Sequence, residues 1–298
     1  MPLHIATAHC DRRVGNSVLQ EREPLVGMIG SLLNSLRRSS RTAVLKTLAA
    51  IPHSQRRLLD IWFDIQIVDA TAETVLQAYL NGRFPLTEPE TGRIFWKAPN
   101  PRGIMPIDGF VVPRNLKRLL RQDRFQVSIN QQFDHVARGC GDRPETWITP
   151  QIIDLYCELH RMGFAHSFES WQDGELVGGY LGVSLGAYFV GVSQFNQVRD
   201  AGKISFLHGM HCLRSHRFLM HDVQEPTSHL EQFGCFELAP DAYRTEFLKA
   251  IAVPARLDWF AHTEPRDTSE VIVEFEGPIE SRADKADSPE IVESVPTC

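Results

Sequence analysis

Residues 166–195, HSFESWQDGELVGGYLGVSLGAYFVGVSQF, constrain the fold more than any other stretch of the chain. Asp173-Gly174 provides the positive-φ pair of a tight hairpin, and Leu185-Gly186 offers a second turn. The apolar, aromatic-rich runs around them predict a meander of three strands. Such a sheet must be covered, and the flanking segments have the right periods. Thr149 is a good N-cap with Pro150 at the first helical position. Ile152, Ile153, Tyr156 and Leu159 follow at helical spacing until Gly163 ends the turn. After the meander, 201–217 has helical spacing and 218–223 returns as a strand. Before it, 71–81 reads as a helix ending at Asn81-Gly82, and FPLTEPETGRIFWKAPNPRG is broken into short strands and turns. A strand over 109–113, a helix over 114–122, a strand over 125–130 and a helix over 131–140 complete the series. Sheet and helices alternate in an α+β domain of acetyltransferase-like (GNAT-like) character, preceded by a small N-terminal α/β domain.

A chain of 298 residues, 43% hydrophobic, can bury one large core or two moderate ones. Its net charge of −6 is unevenly spread. Residues 1–57 hold nine Lys/Arg against three Asp/Glu, whereas 261–298 hold three against ten. The expected organisation is therefore a basic, flexible extension over 1–57, a small domain over 58–108, a catalytic domain over 109–262 and an acidic tail over 263–298. The tail carries one short candidate strand at 271–275. Six scattered cysteines without a C-x-x-C pair suggest reduced thiols rather than a zinc ribbon or disulfide frame. No stretch approaches the roughly 20 apolar residues of a membrane span, and no secretory layout opens the chain. A cytoplasmic protein without membrane partners is expected.

Eight motifs occur in order between about 76 and 236: GRFP, FWKAPNPRG, TWITP, GFAHSFESW, DGELVGGYLGVSLG, F-x-G-x-S-x-F, D-x-Q and H-x-x-x-x-G. In this order and spacing the chain resembles the leucyl/phenylalanyl-tRNA protein transferases. The resemblance implies an acetyltransferase-like domain turned from acyl-CoA to aminoacyl-tRNA. It would move leucine or phenylalanine onto the N-terminus of an acceptor protein or peptide, marking it for degradation, with no metal or other cofactor.

An aminoacyl ester is already activated, so the enzyme must mainly align the acceptor amine with the ester carbonyl and manage one proton. Asp222 and Gln224 match the family residues at the reacting centre. Strand alternation would place both on one face, directed at one ligand. The donor amino-acid pocket implied by the alignment comprises Tyr180, Phe189, Gly191, Gln194, Phe206, Gly209 and His221. Val192 and Ser193 fall at the acceptor site. Arg114, Lys117, Arg118 and Arg121 stand at i, i+3, i+4 and i+7, forming a cationic helical face suited to RNA phosphates. The matching family helix is also basic. Trp147 matches a tryptophan expected near the terminal adenosine, where an aromatic face can stack on an unpaired base.

The chain departs from the family at three places. Leu86 replaces the tryptophan of FPW. Val192 replaces the glutamate of G-E-S-M-F-S, removing an acidic partner for a cationic N-terminal residue. Gln194 and His221 introduce polarity into the donor pocket and would favour a polar amino acid. Three other readings are weighed beside this one. His208, Cys212 and His216, with His211 and His221 nearby, have helical metal-ligand spacing, but one helix does not close a site. An acyl-CoA enzyme would need a Q/R-x-x-G-x-G/A turn, which NQVRDAGK does not supply. A non-catalytic binder of charged tRNA or protein N-termini is compatible with the changes at 86 and 192.

Overall fold

The computed structural model describes residues 70–88, 91–257 and 265–268. The basic arm over 1–57 and the candidate strand at 271–275 lie outside the described residues.

Local signals set the first elements. Thr71 and Thr74 cap each other at the start of α1 (Ala72–Leu80), and Gly82, at φ 70°, takes the left-handed step beyond its end. β1 (Phe84–Thr87) and β2 (Ile94–Lys97) form a separate antiparallel hairpin. β3 (Arg102–Met105) enters the large sheet instead. The expected strand at 109–113 is absent: 108–109 form a turn and 110–113 are coil leading into α2 (Arg114–Leu120). Val111 N makes one bond to Phe233 O, and β3 already occupies the place between the strands Met220–Gln224 and Phe236–Leu238.

β4 (Gln126–Ile129), α3 (Phe133–Gly141) and α4 (Pro150–Arg161) follow close to expectation, with the Thr149 side chain accepting from Ile152 N. The meander is present as β5 (Ala165–Gln172), β6 (Glu175–Leu185) and β7 (Tyr188–Asn196), with positive φ at Asp173, Gly174 and Gly186. α5 (Ala201–Ser215) crosses over, so β8 (Met220–Gln224) returns parallel to β7. α6 (Ser228–Glu231), β9 (Phe236–Leu238) and α7 (Pro240–Ala252) complete the ring of elements. β10 (Arg266–Asp267) lies in the stretch expected as acidic tail, ahead of the candidate strand there, and pairs with β4.

The resulting mixed sheet has eight strands in the order β10-β4-β5-β6-β7-β8-β3-β9, antiparallel except at β7-β8. Each face buries a core. α1, α3, α4 and α7 cover one face, where Val75, Tyr79, Val136, Tyr156, Tyr188 and Phe247 meet. α2 and α5 cover the other, around Leu116, Phe168, Phe189, Phe206, Leu207 and Met210. Among the described residues no helix is long and apolar enough to cross a membrane.

Candidate functional site

The sheet opens where β7 and β8 stop pairing. Their parallel register runs through Tyr188↔Met220, Phe189↔His221 and Val190↔Asp222 and goes no further. Immediately beyond lies a cavity of about 220 Å³. On its β7 side are four consecutive residues, Gly191, Val192, Ser193 and Gln194, and on its β8 side is Val223. Four neighbours in a row cannot face one way on a regular strand. All four nonetheless border the cavity, at a bulge in β7: Leu181 pairs with Ser193 and Gly182 with Gly191, leaving Val192 as the extra residue. Tyr180, Phe206 and Lys203 form another wall, and Thr227, Leu230 and Phe233 close the cavity.

Of the expected donor-pocket residues, Tyr180, Gly191, Gln194 and Phe206 line this cavity, as do Val192 and Ser193 from the expected acceptor site. The two sets share one wall. Phe189, Gly209 and His221 are not among the lining residues. Gly209 lets Phe168 and Tyr180 approach α5 to about 3.1–3.2 Å of where a Cβ would be, and Phe189 is fully buried against Phe168 and His221.

His221 differs most from expectation. Its Nε2 lies 2.7 Å from the Tyr180 hydroxyl and its Nδ1 3.0 Å from Met210 Sδ. A thioether only accepts, so Nδ1 carries the proton and Nε2 accepts from Tyr180. Burial pushes the imidazole down to about 3, against a smaller opposing effect of Asp222. A neutral ring with both nitrogens engaged offers nothing polar to a donor amino acid. Polar selection therefore does not come from His221.

Asp222 and Gln224 do not share a face as strand alternation implies. The β3-β8 register shifts between Gly103 and Ile104, and Gln224 adopts a left-handed φ of 67°. Asp222 is fully buried. Its Oδ2 accepts from the Arg102 guanidinium (Nε 3.1 Å, with Nη2 also in contact), from Tyr188 Oη at 2.7 Å and from Tyr243 Oη at 2.8 Å. Its Oδ1 accepts from Gln224 N at 2.6 Å. Burial is the largest single effect on Arg102 and opposes its charge, but Asp222, Tyr188 and Tyr243 together outweigh it and hold the guanidinium pKa above its ordinary value. Burial and then the same carboxylate push Tyr188 and Tyr243 well up, so both remain donors. This carboxylate is committed to its partners and grips the backbone of Gln224. The Gln224 Nε2 is buried without a hydrogen-bond partner, in the residue next to the cavity residue Val223.

Arg114, Arg118 and Arg121 are exposed and Lys117 half-buried on α2, while Leu116 and Leu120 turn inward. This basic helix is joined to the cavity wall, because Phe110 just before it stacks on Phe233 at 5.7 Å and meets the Phe206 edge at 5.9 Å. Trp147 is half-buried before α4, and Leu86 is half-buried on β1. Both pack against the core on the α1, α3, α4 and α7 side. His208 and Cys212 are buried on α5 with 3.7 Å between Nε2 and Sγ, and His216 bonds the Cys212 carbonyl at 2.6 Å. Among the described residues no three His, Cys, Asp or Glu converge as metal ligands. Sequence reasoning missed Arg102, Tyr188 and Tyr243 around Asp222, and Lys203, Val223, Thr227, Leu230 and Phe233 around the cavity. Arg102 does stand in the PNPRG motif, but nothing in a sequence says which carboxylate an arginine meets.

The mixed sheet is thus parted between two parallel strands, with a largely apolar cavity in the gap and a cationic helix tied to its wall. Residues 104–248 match the family model described as leucyl/phenylalanyl-tRNA protein transferase. Proteins named leucyl/phenylalanyl-tRNA–protein transferase are similar over most of their length. That of Salinibacter ruber is 40% identical over 209 residues, 70% of this chain and 92% of the relative. Those of Paramagnetospirillum magneticum (44% over 195 residues, 64% and 92%) and Gloeobacter violaceus (43% over 190 residues, 64% and 98%) are comparable. The chain belongs to the leucyl/phenylalanyl-tRNA protein transferase family. A solved C-terminal domain (DUF2156) from Agrobacterium fabrum matches at 12% identity and a TM-score of 0.30, over 59% of this chain and 61% of that one, which is too slight to bear on the fold.

Proposed function

We propose that this protein is an aminoacyl-tRNA-dependent aminoacyltransferase that joins the amino acid of a charged tRNA to the N-terminus of an acceptor protein in the cytoplasm, within a degradation pathway. The observation that carries this reading is the coincidence of the family's F-x-G-x-S-x-F motif with the cavity wall at 191–194. The opening between β7 and β8 also supports the finer assignment to an acetyltransferase-like fold.

In the reaction the acceptor's α-amine attacks the ester carbonyl. The new N–C bond forms, the ester C–O bond breaks, the terminal ribose hydroxyl departs with a proton, and the amine gives one up. Positioning and proton management suffice for an ester already activated. Tyr180, Phe206, Val223, Leu230 and Phe233 give the donor side chain an apolar seat of the leucine or phenylalanine kind. The side-chain amide of Gln224 orients the amine, and Asp222, acting through the Gln224 backbone, is its positioning residue. The face of Arg114, Lys117, Arg118 and Arg121 takes the RNA phosphates, and Trp147 the terminal adenosine.

One observation favours a second reading, a homologue that binds charged tRNA or N-termini without transfer. Where the family carries a glutamate, the bulge presents the apolar Val192 to the cavity. The test is transfer from individually charged tRNAs to peptides beginning with each amino acid, with Val192→Glu alongside. Leucine or phenylalanine appearing on Arg- or Lys-peptides with the wild-type protein supports the inherited activity. No transfer by wild type, with activity in Val192→Glu, establishes the second reading.

A further inference from the structure

The bulged segment of β7 lacks a strand on its β8 side, so something else must fix its shape. Two contacts from α3 do so. The Phe195 ring is clamped where Gly139 and Gly179 leave room: a Cβ at Gly139 would lie 2.8 Å from it and one at Gly179 2.6 Å. Just past α3, Arg143 reaches across to the same strand. Its Nη2 donates to Ser193 Oγ at 2.6 Å and to Gln194 O at 3.1 Å, while Nε donates to Cys140 O at 3.1 Å. One guanidinium thus ties the C-terminal end of α3 to the two residues after the bulge. α3 is itself held at its other end, where buried Glu169 accepts from Gln131 N at 3.0 Å and Gln132 N at 3.2 Å.

We propose that Arg143 is a positioning residue of the acceptor site: its fork to Ser193 and Gln194 fixes the bulge that presents Val192 and Ser193 to the incoming N-terminus. This inference rests on the reading of residues 192–193 as the acceptor wall. Only a planar fork can meet Ser193 Oγ, Gln194 O and Cys140 O together, so lysine cannot replace it. Arg143 lies outside the cavity lining and touches substrate only through β7.

The experiment is steady-state transfer by full-length protein, with acceptor peptide varied at saturating charged tRNA and then the reverse. A charge-assisted hydrogen bond is worth a factor of about ten or more, so Arg143→Ala should raise the acceptor KM roughly tenfold. The KM for charged tRNA and the melting temperature should stay close to wild type. Arg143→Lys should not restore the acceptor KM, whereas added guanidinium should lower it in Arg143→Ala. An unchanged acceptor KM overturns the proposal, as does an equal rise in both KM values with a lowered melting temperature. If the wild-type protein transfers nothing, the functional reading fails on its own account. Amide exchange over 191–196 then decides this one: faster exchange in Arg143→Ala that guanidinium slows supports it, and unchanged exchange overturns it.

Discussion

Arg102 and Asp222 stand 120 residues apart in the chain and meet as a buried ion pair, with their side chains 5% and 0% exposed. The pair joins β3 to β8, the strand that borders the cavity, and Arg102 Nη1 extends the link to Gly82 O at 2.7 Å. Removing one partner of such a pair leaves a charge stranded in the interior. We expect Arg102→Met to lose about 3–5 kcal/mol of folding stability. The double variant Arg102→Met/Asp222→Asn should lose less than the sum of the single changes. Denaturant titration of the four proteins checks this, and additive losses would show that the charges do not depend on each other.

His221 gives stability a pH dependence of known sign. Its folded pKa of about 3 lies below the roughly 6.5 of an unfolded histidine, so the unfolded chain takes up the proton first. The contribution is complete above about pH 6.5 and is lost progressively as pH falls toward 3, by on the order of one kcal/mol per pH unit. His221→Gln keeps an acceptor for the Tyr180 hydroxyl but cannot titrate. Its stability should fall less steeply than wild type between those limits when unfolding is followed across pH.

Gly191 has no room for a side chain, because a Cβ there would fall on the Tyr180 hydroxyl. Gly191→Ala must therefore displace Tyr180 from His221 or shift β7. Overpacking of this kind costs about 1–3 kcal/mol. Thermal melting should register that loss, and transfer should fall with it because both residues line the cavity.

The exposed cations of α2 are expected to contribute a sequence-independent share of RNA affinity. Arg114→Ala or Arg118→Ala should each weaken binding of charged tRNA and reduce the slope of log K against log salt by about 1. The effect should be the same whichever amino acid the tRNA carries. Binding titrations at several salt concentrations test it, and an unchanged slope would place the RNA elsewhere.

Signals carried by a few adjacent residues were legible in the sequence. Asp173-Gly174 marked a hairpin because only certain residues tolerate its backbone, and Thr149-Pro150 marked a helix start because a hydroxyl can cap the first amides. The alternation of apolar runs gave the meander, and the ordered motifs gave the family. Charge at i, i+3, i+4 and i+7 falls on one short helix and its cap, α2 and Arg121, since helical geometry follows from spacing alone.

Pairing over long distance was not legible, and it decided the site. Whether 102–105 or 109–113 joins the large sheet depends on which stretch finds a free place between β8 and β9, a competition no local period reveals. The bulge at Val192 and the left-handed turn at Gln224 each overturn strand alternation. One lies where four consecutive residues border the cavity, and the other took Asp222 and Gln224 off a common face. His221 lost its expected role to burial, which left both ring nitrogens to Tyr180 and Met210. The sequence by itself determined the strongly punctuated elements and the family, because those rest on neighbours along the chain. Only the tertiary structure decided what Asp222, His221 and Val192 face, because that depends on partners brought together from far apart.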